Sequence, residues 1–161
     1  MYLCKFTRDT NVWLIDTPGF DDTDRNERDV LEMVADFFGT VYNTADGLVG
    51  GVIYLHSITN PRLTGSLMRN LAILKRLCGG ASMSAITLVT NLWEQVDGEV
   101  GVKREKALME NDSLWKPMID QGSVVRRLYN NGASAVSLVE SVLQRAPATA
   151  RIARPPSRAE Y

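Results

Sequence analysis

The chain is poor in the residues on which much specialised chemistry depends. Of 161 residues, two are cysteine and one is histidine. Cys4 falls in an amphipathic strand pattern and Cys78 at a helix end, with no metal-ligand spacing between them. Both read as buried reduced thiols, which argues against a disulfide scaffold or a cysteine-rich metal cluster. No apolar run approaches the roughly 18 residues that cross a bilayer, and the start lacks the charged, apolar and small-residue sections of a signal peptide. The expectation is a cytoplasmic protein, neither secreted nor membrane-spanning. A charge excess is missing too: 18 Lys and Arg against 19 Asp and Glu leave a net −1. That balance argues against a sequence-blind grip on nucleic acid or an anionic membrane. There is no internal repeat.

What is present describes one globular domain. Apolar residues make up 45% of the chain and charged residues 23%, enough material for a core. Residues 1–144 carry the pattern. Residues 145–161 hold Arg145, Arg151, Arg154 and Arg158 with Pro147, Pro155 and Pro156 against the single acid Glu160, the composition of a disordered tail. Residues 2–6 alternate as an edge strand does, and Val12 to Ile15 are continuously apolar, as in a strand covered on both faces. Val30, Leu31, Val34, Ala35 and Phe38 recur at helical spacing. Gly50 to Leu55 and Ala85 to Val89 are further buried strands. Between them Thr64 or Ser66 can cap a helix carrying Leu67, Leu71 and Leu74, which Gly79 and Gly80 stop. A helix around residues 102–109, a short strand at 123–125 and a final amphipathic helix from Ala135 to about Gln144 complete the order. Alternating strands and helices require crossovers, so the predicted fold is α/β: a three-layer, mainly parallel sheet with helices on both faces. Ligands of such a sheet lie beyond the carboxyl ends of its strands.

The most informative run is Val12-Trp13-Leu14-Ile15-Asp16-Thr17-Pro18-Gly19-Phe20. A buried strand ending in Asp-x-x-Gly delivers a carboxylate and a glycine to one sheet edge. Asp16 there can hold Mg²⁺ through water, and the backbone N–H of Gly19 can approach a terminal phosphate. Yet no Gly-x-x-x-x-Gly-Lys-Ser/Thr occurs in the sequence, and that loop normally supplies the lysine and backbone donors around the phosphates. Only fifteen residues precede Asp16, too few for a strand, loop and helix. This leads to the expectation of an amino-terminally truncated chain or a domain that has lost catalytic competence.

The other strand ends carry His56-Ser57-Ile58-Thr59-Asn60-Pro61-Arg62, then Thr90-Asn91-Leu92-Trp93-Glu94, then the turn from Asn130 to Ser134. Together with Ile53-Tyr54-Leu55-His56, Arg62-Leu63-Thr64-Gly65-Ser66 and Lys75-Arg76-Leu77-Cys78-Gly79, these segments resemble a G domain of the AIG1-like type, as carried by fungal multidomain proteins. The resemblance covers residues 1–143. It implies a P-loop GTPase fold, incomplete here, that binds GTP or GDP with Mg²⁺ and hydrolyses GTP slowly. It places Asp16, Thr17, Pro18 and Gly19 at the phosphates and metal, and Asn91, Glu94 and Asn131 at the guanine. It also implies association of two chains through their nucleotide faces.

The sequence departs from the pattern at three points. Leu92 stands where a lysine would lie along the base. Glu94 stands where an aspartate would accept from N1–H and the exocyclic amino group; it is either that base reader or a solvated loop acid. Phe20 replaces the water-orienting glutamine that follows Asp-x-x-Gly in Ras-like GTPases, which implies slow hydrolysis. Arg62 is the one catalytic candidate, a residue that could reach across a dimer interface, against the plainer reading of an exposed loop arginine. Trp93 can lie against the base or ribose, but reads mainly as packing under its loop. His56, with no carboxylate or cysteine set around it, reads as structural. Asn130 and Asn131 can approach the guanine or simply make a good turn. The reading from a different class is a nucleotide-free module that binds a partner protein, or a fragment without function.

Overall fold

A computed structural model describes residues 2–6, 8, 11–17, 36, 50–60, 65–78 and 80–145. Pro18, Gly19, Phe20, Arg62, Thr64, most of the helix expected over residues 30–38 and all of the tail expected over residues 145–161 except Arg145 lie outside them; Arg145 is not tail but the last residue of the final helix.

Three strands form a parallel sheet in the order β3-β4-β5: β3 (Val52–Ser57), β4 (Ile86–Asn91) and β5 (Val124–Arg127). The register pairs Ser57 with Asn91 and Thr90 with Arg127, so all three strands finish at one rim. Helix α1 (Gly65–Cys78) and a 3-10 turn (Gly80–Ala85) carry the chain from β3 to β4. Helices α2 (Gly98–Glu110) and α3 (Lys116–Asp120) carry it to β5, and α4 (Gly132–Arg145) follows. The helices flank the sheet, as parallel pairing requires of its connections. Ser66 falls inside α1, one residue past its start, and so is not its cap.

The core explains this arrangement. Leu67, Leu71 and Leu74 recur on one stripe of α1 and pack with Tyr54 of β3 and with Ile86 and Leu88 of β4. Leu108, Leu114, Trp115 and Met118 complete the cluster from the α2–α3 side. The first five residues of β4 are all buried, consistent with its central position and its Ile-Thr-Leu-Val-Thr sequence. Val142 of α4 sits where a side chain on Gly51 would go: a Cβ there would lie 2.5 Å from Val142 Cγ1. At the far rim Arg145 donates from Nη2 to the carbonyls of Ser84 and Gly122, 2.7 Å each, and so ties the end of α4 to the segments that enter β4 and β5.

The first two strands form a sheet of their own. β1 (Tyr2–Lys5) and β2 (Asn11–Leu14) pair antiparallel, Tyr2 opposite Leu14 and Lys5 opposite Asn11. Two adjacent strands were expected here, but a doubly covered second strand is not what forms. Trp13 is 53% exposed and Leu14 38%. Apolar sequence favours burial, but burial needs neighbours; among the described strands β2 pairs with β1 alone. Cys4, expected to be buried, is half-buried and free. Among the described residues no helix is long and apolar enough to cross a membrane.

Candidate functional site

The site lies where β4 and β5 release the chain. Leu92 follows Asn91 in the left-handed region, φ 61° and ψ 36°, an unusual conformation for a branched aliphatic residue. It turns the backbone directly into a 3-10 turn, Trp93–Gln95, closed by Gln95 N–H donating to the Leu92 carbonyl at 3.1 Å. Asp97 then caps α2, its Oδ1 accepting from Glu99 and Val100 N–H at 2.9 and 3.2 Å.

Trp93 anchors this turn from below. Its indole is buried, and Nε1 donates to both the carbonyl and the hydroxyl of Thr90, at 3.2 and 3.1 Å. Thr90 Oγ1 in turn donates to Glu105 Oε1 at 2.9 Å. Glu105 comes from α2 and is only 7% exposed, so its charge must be met. Arg127 of β5 meets it through Nε at 3.0 Å and through Nη2, while its guanidinium carbon lies 4.2 Å from the Trp93 ring centroid. Gly101 of α2 makes room for the indole: a Cβ there would stand 2.6 Å from Trp93 Cζ3. The turn therefore rests on a closed polar network linking β4, α2 and β5. Tyr129 adds a tilted ring contact to Trp93 at 6.3 Å.

Above this floor stand Asn91, Glu94 and the 130–131 turn. Glu94 is exposed, and its Oε1 accepts the backbone N–H of Asn130 at 2.6 Å. That bond, and next its own backbone N–H, hold its carboxyl below the usual range against a smaller upward push from burial. Asn131 serves the helix behind it: its Oδ1 accepts from Ser134 N–H at 2.8 Å, capping α4, and its N–H donates to the Tyr129 carbonyl at 2.7 Å. Asn91 Oδ1 is buried and has no hydrogen-bond partner among the described residues. A buried acceptor without a donor is costly, and at the ligand rim of a parallel sheet it calls for one.

The structure brings Asn91, Glu94, Asn130 and Asn131 to one rim. Asp16 and Thr17 leave the separate β1–β2 sheet, Asp16 exposed and Thr17 half-buried. Pro18, Gly19 and Arg62 fall outside the described residues. Among the described residues no three or more His, Cys, Asp or Glu side chains gather as a metal site, so a cation at Asp16 would lean on water and phosphate oxygens for its remaining ligands. Trp93 packs beneath its loop, consistent with the plainer of its two readings. His56 is buried at the end of β3, edge-on to Trp115 with ring centroids 5.9 Å apart, and burial lowers its pKa.

Sequence reasoning missed Thr90, Glu105 and Arg127. One signal was available: Gly101, Glu105 and Leu108 are the buried positions of α2, spaced as one helical stripe, and a carboxylate on such a stripe requires a partner. Nothing in the spacing pointed to Arg127 as that partner. No family model matches the chain, and no curated protein matches it.

Proposed function

We propose that this chain carries the base-binding part of a guanine-nucleotide site of the AIG1-like GTPase type. The observation that carries the reading is the convergence at one rim of an unmatched acceptor, Asn91 Oδ1, with a carboxylate, Glu94, fixed by the neighbouring strand-to-helix turn. An amide and a fixed acid at this place suit an edge that presents two adjacent N–H donors: guanine offers its N1–H beside the 2-amino group, whereas adenine has its 6-amino group beside an unprotonated N1. Asn91 and Glu94 shape the base pocket in this reading, Asn131 frames it, Asp16 holds the Mg²⁺ shell, and Thr17, Pro18 and Gly19 face the phosphates. Arg62 is the candidate for a contact from a second chain bound at the same face. Slow hydrolysis belongs to a protein in which a phosphate cradle is also present. The 161 residues contain no such loop, so the chain by itself binds GTP with Mg²⁺ too weakly for calorimetry.

The test uses the labelled chain and a ligand that isolates the base contacts. Titration with GMP to millimolar concentration shifts the backbone amide signals of Asn91, Glu94 and Asn130, and AMP leaves them in place. Equal shifts with both, or none with either, reject the reading. One observation favours the second reading, a nucleotide-free interaction module: Tyr2, Leu3, Trp13 and Leu55 expose more than half of their surface. That reading assigns these residues to binding a partner protein and predicts that the Asn91, Glu94 and Asn130 signals stay in place with GMP as well as with AMP.

A further inference from the structure

Helix α2 is held to the sheet at two places besides Glu105. Leu108 is buried in the core cluster, and Arg104 Nη1 donates to the carbonyls of Ile58 and Thr59, 2.9 Å each, where the chain leaves β3. Burying a carboxylate beside that anchorage adds little stability, because desolvation offsets most of the attraction between the paired charges. What the Glu105–Arg127 pair supplies is direction. Glu105 Oε1 takes the proton of the Thr90 hydroxyl at 2.9 Å, which leaves lone pairs of that oxygen for Trp93 Nε1 at 3.1 Å. Glu105 Oε2 accepts from Arg127 Nε at 3.0 Å, and the guanidinium so held lies over the Trp93 ring. The indole is fixed at its edge by Thr90 and on its face by Arg127, with one carboxylate behind both. Trp93 and Glu94 are consecutive, and the register that sets Thr90 opposite Arg127 carries β5 on to Asn130, whose N–H Glu94 accepts. The two turns that wall the rim therefore meet through residues that Glu105 orients. Buried itself, Glu105 acts through these neighbours.

Resting on the guanine-nucleotide reading, we propose that Glu105 is a positioning residue of the base pocket: with Arg127 as its counter-ion it sets the orientation of the Trp93–Glu94 turn, and through that turn the affinity for the base.

The experiment separates orientation from stability. Glu105→Met combined with Arg127→Leu replaces both charges by apolar side chains and leaves neither charge buried alone. This double variant melts within about 4 °C of the unmodified chain, since an apolar pair can stand in for a buried ionic one. Its Glu94 and Asn130 amide signals and its Trp93 indole N–H signal move without ligand. It binds GMP at least about threefold more weakly, the scale on which packed side chains couple to a neighbouring site. A folded double variant whose GMP affinity stays inside that factor shows a pair that serves packing only; it overturns the inference and leaves the guanine reading standing. If the double variant does not fold, Arg127→Lys decides by the same threshold and the same signals, because lysine keeps a cation against Glu105 but has no planar fork to lie on the indole. An unmodified chain that does not bind GMP, or binds AMP equally well, overturns both.

Discussion

The β1–β2 hairpin and the β3–β4–β5 sheet are built from similar residues and meet opposite fates. Val12-Trp13-Leu14 is as apolar as Ile86-Thr87-Leu88, yet Trp13 and Leu14 stand in solvent while Ile86 and Leu88 are fully buried. What separates them is company. β4 has a parallel neighbour on each side and helices against it; β2 has one described partner. A two-stranded ribbon is marginal in water, whereas a strand inside a helix-flanked sheet gains burial for every side chain it carries.

Four measurements would break or sharpen that contrast. The largest effect belongs to Trp115→Ala. The side chain is completely buried at the centre of the cluster, and the variant should lose about 3–5 kcal/mol in denaturant unfolding. Second is Gly101→Ala. A methyl 2.6 Å from the Trp93 ring forces the indole aside, for a loss of about 1–3 kcal/mol, together with shifted amide signals at Leu92 and Glu94.

Third is acidity. Burial holds His56 below its ordinary 6.5, so on acidification the unfolded chain takes up a proton first. Its contribution to stability is complete above 6.5 and falls as the pH drops below that value; His56→Gln should flatten the acid side of a melting-temperature profile. The smallest effect belongs to Trp13→Ser in the hairpin, which should change stability by no more than about 0.5 kcal/mol. A loss there comparable to that of Trp115→Ala would show that the hairpin is packed after all, and would erase the distinction between the two regions.

Much of the sheet was legible in advance. Strands expected at residues 50–55, 85–89 and 123–125 form at 52–57, 86–91 and 124–127, and the helix stop after Cys78 and the final amphipathic helix followed from periodicity and glycine placement. The buried second strand did not materialise, because a run of apolar residues states a preference for cover without supplying it. At the candidate site, Asn91 and Glu94 stood out as polar residues closing a buried strand. The Glu94 bond to Asn130 spans 36 residues and the Glu105 bond to Arg127 spans 22, distances over which local pattern carries no information.

The sequence by itself determined which segments become strands and helices and where the polar strand ends fall, because those choices depend on side-chain period, caps and glycines within a few residues. Only the tertiary structure decided that Trp93 would face inward onto Thr90, that Glu105 would find its cation in Arg127, and that Glu94 would accept the backbone N–H of Asn130. Each of those is a contact between segments that meet only once β4 and β5 lie side by side and α2 has docked, and the free energy of a buried charge or an unmatched acceptor exists only there.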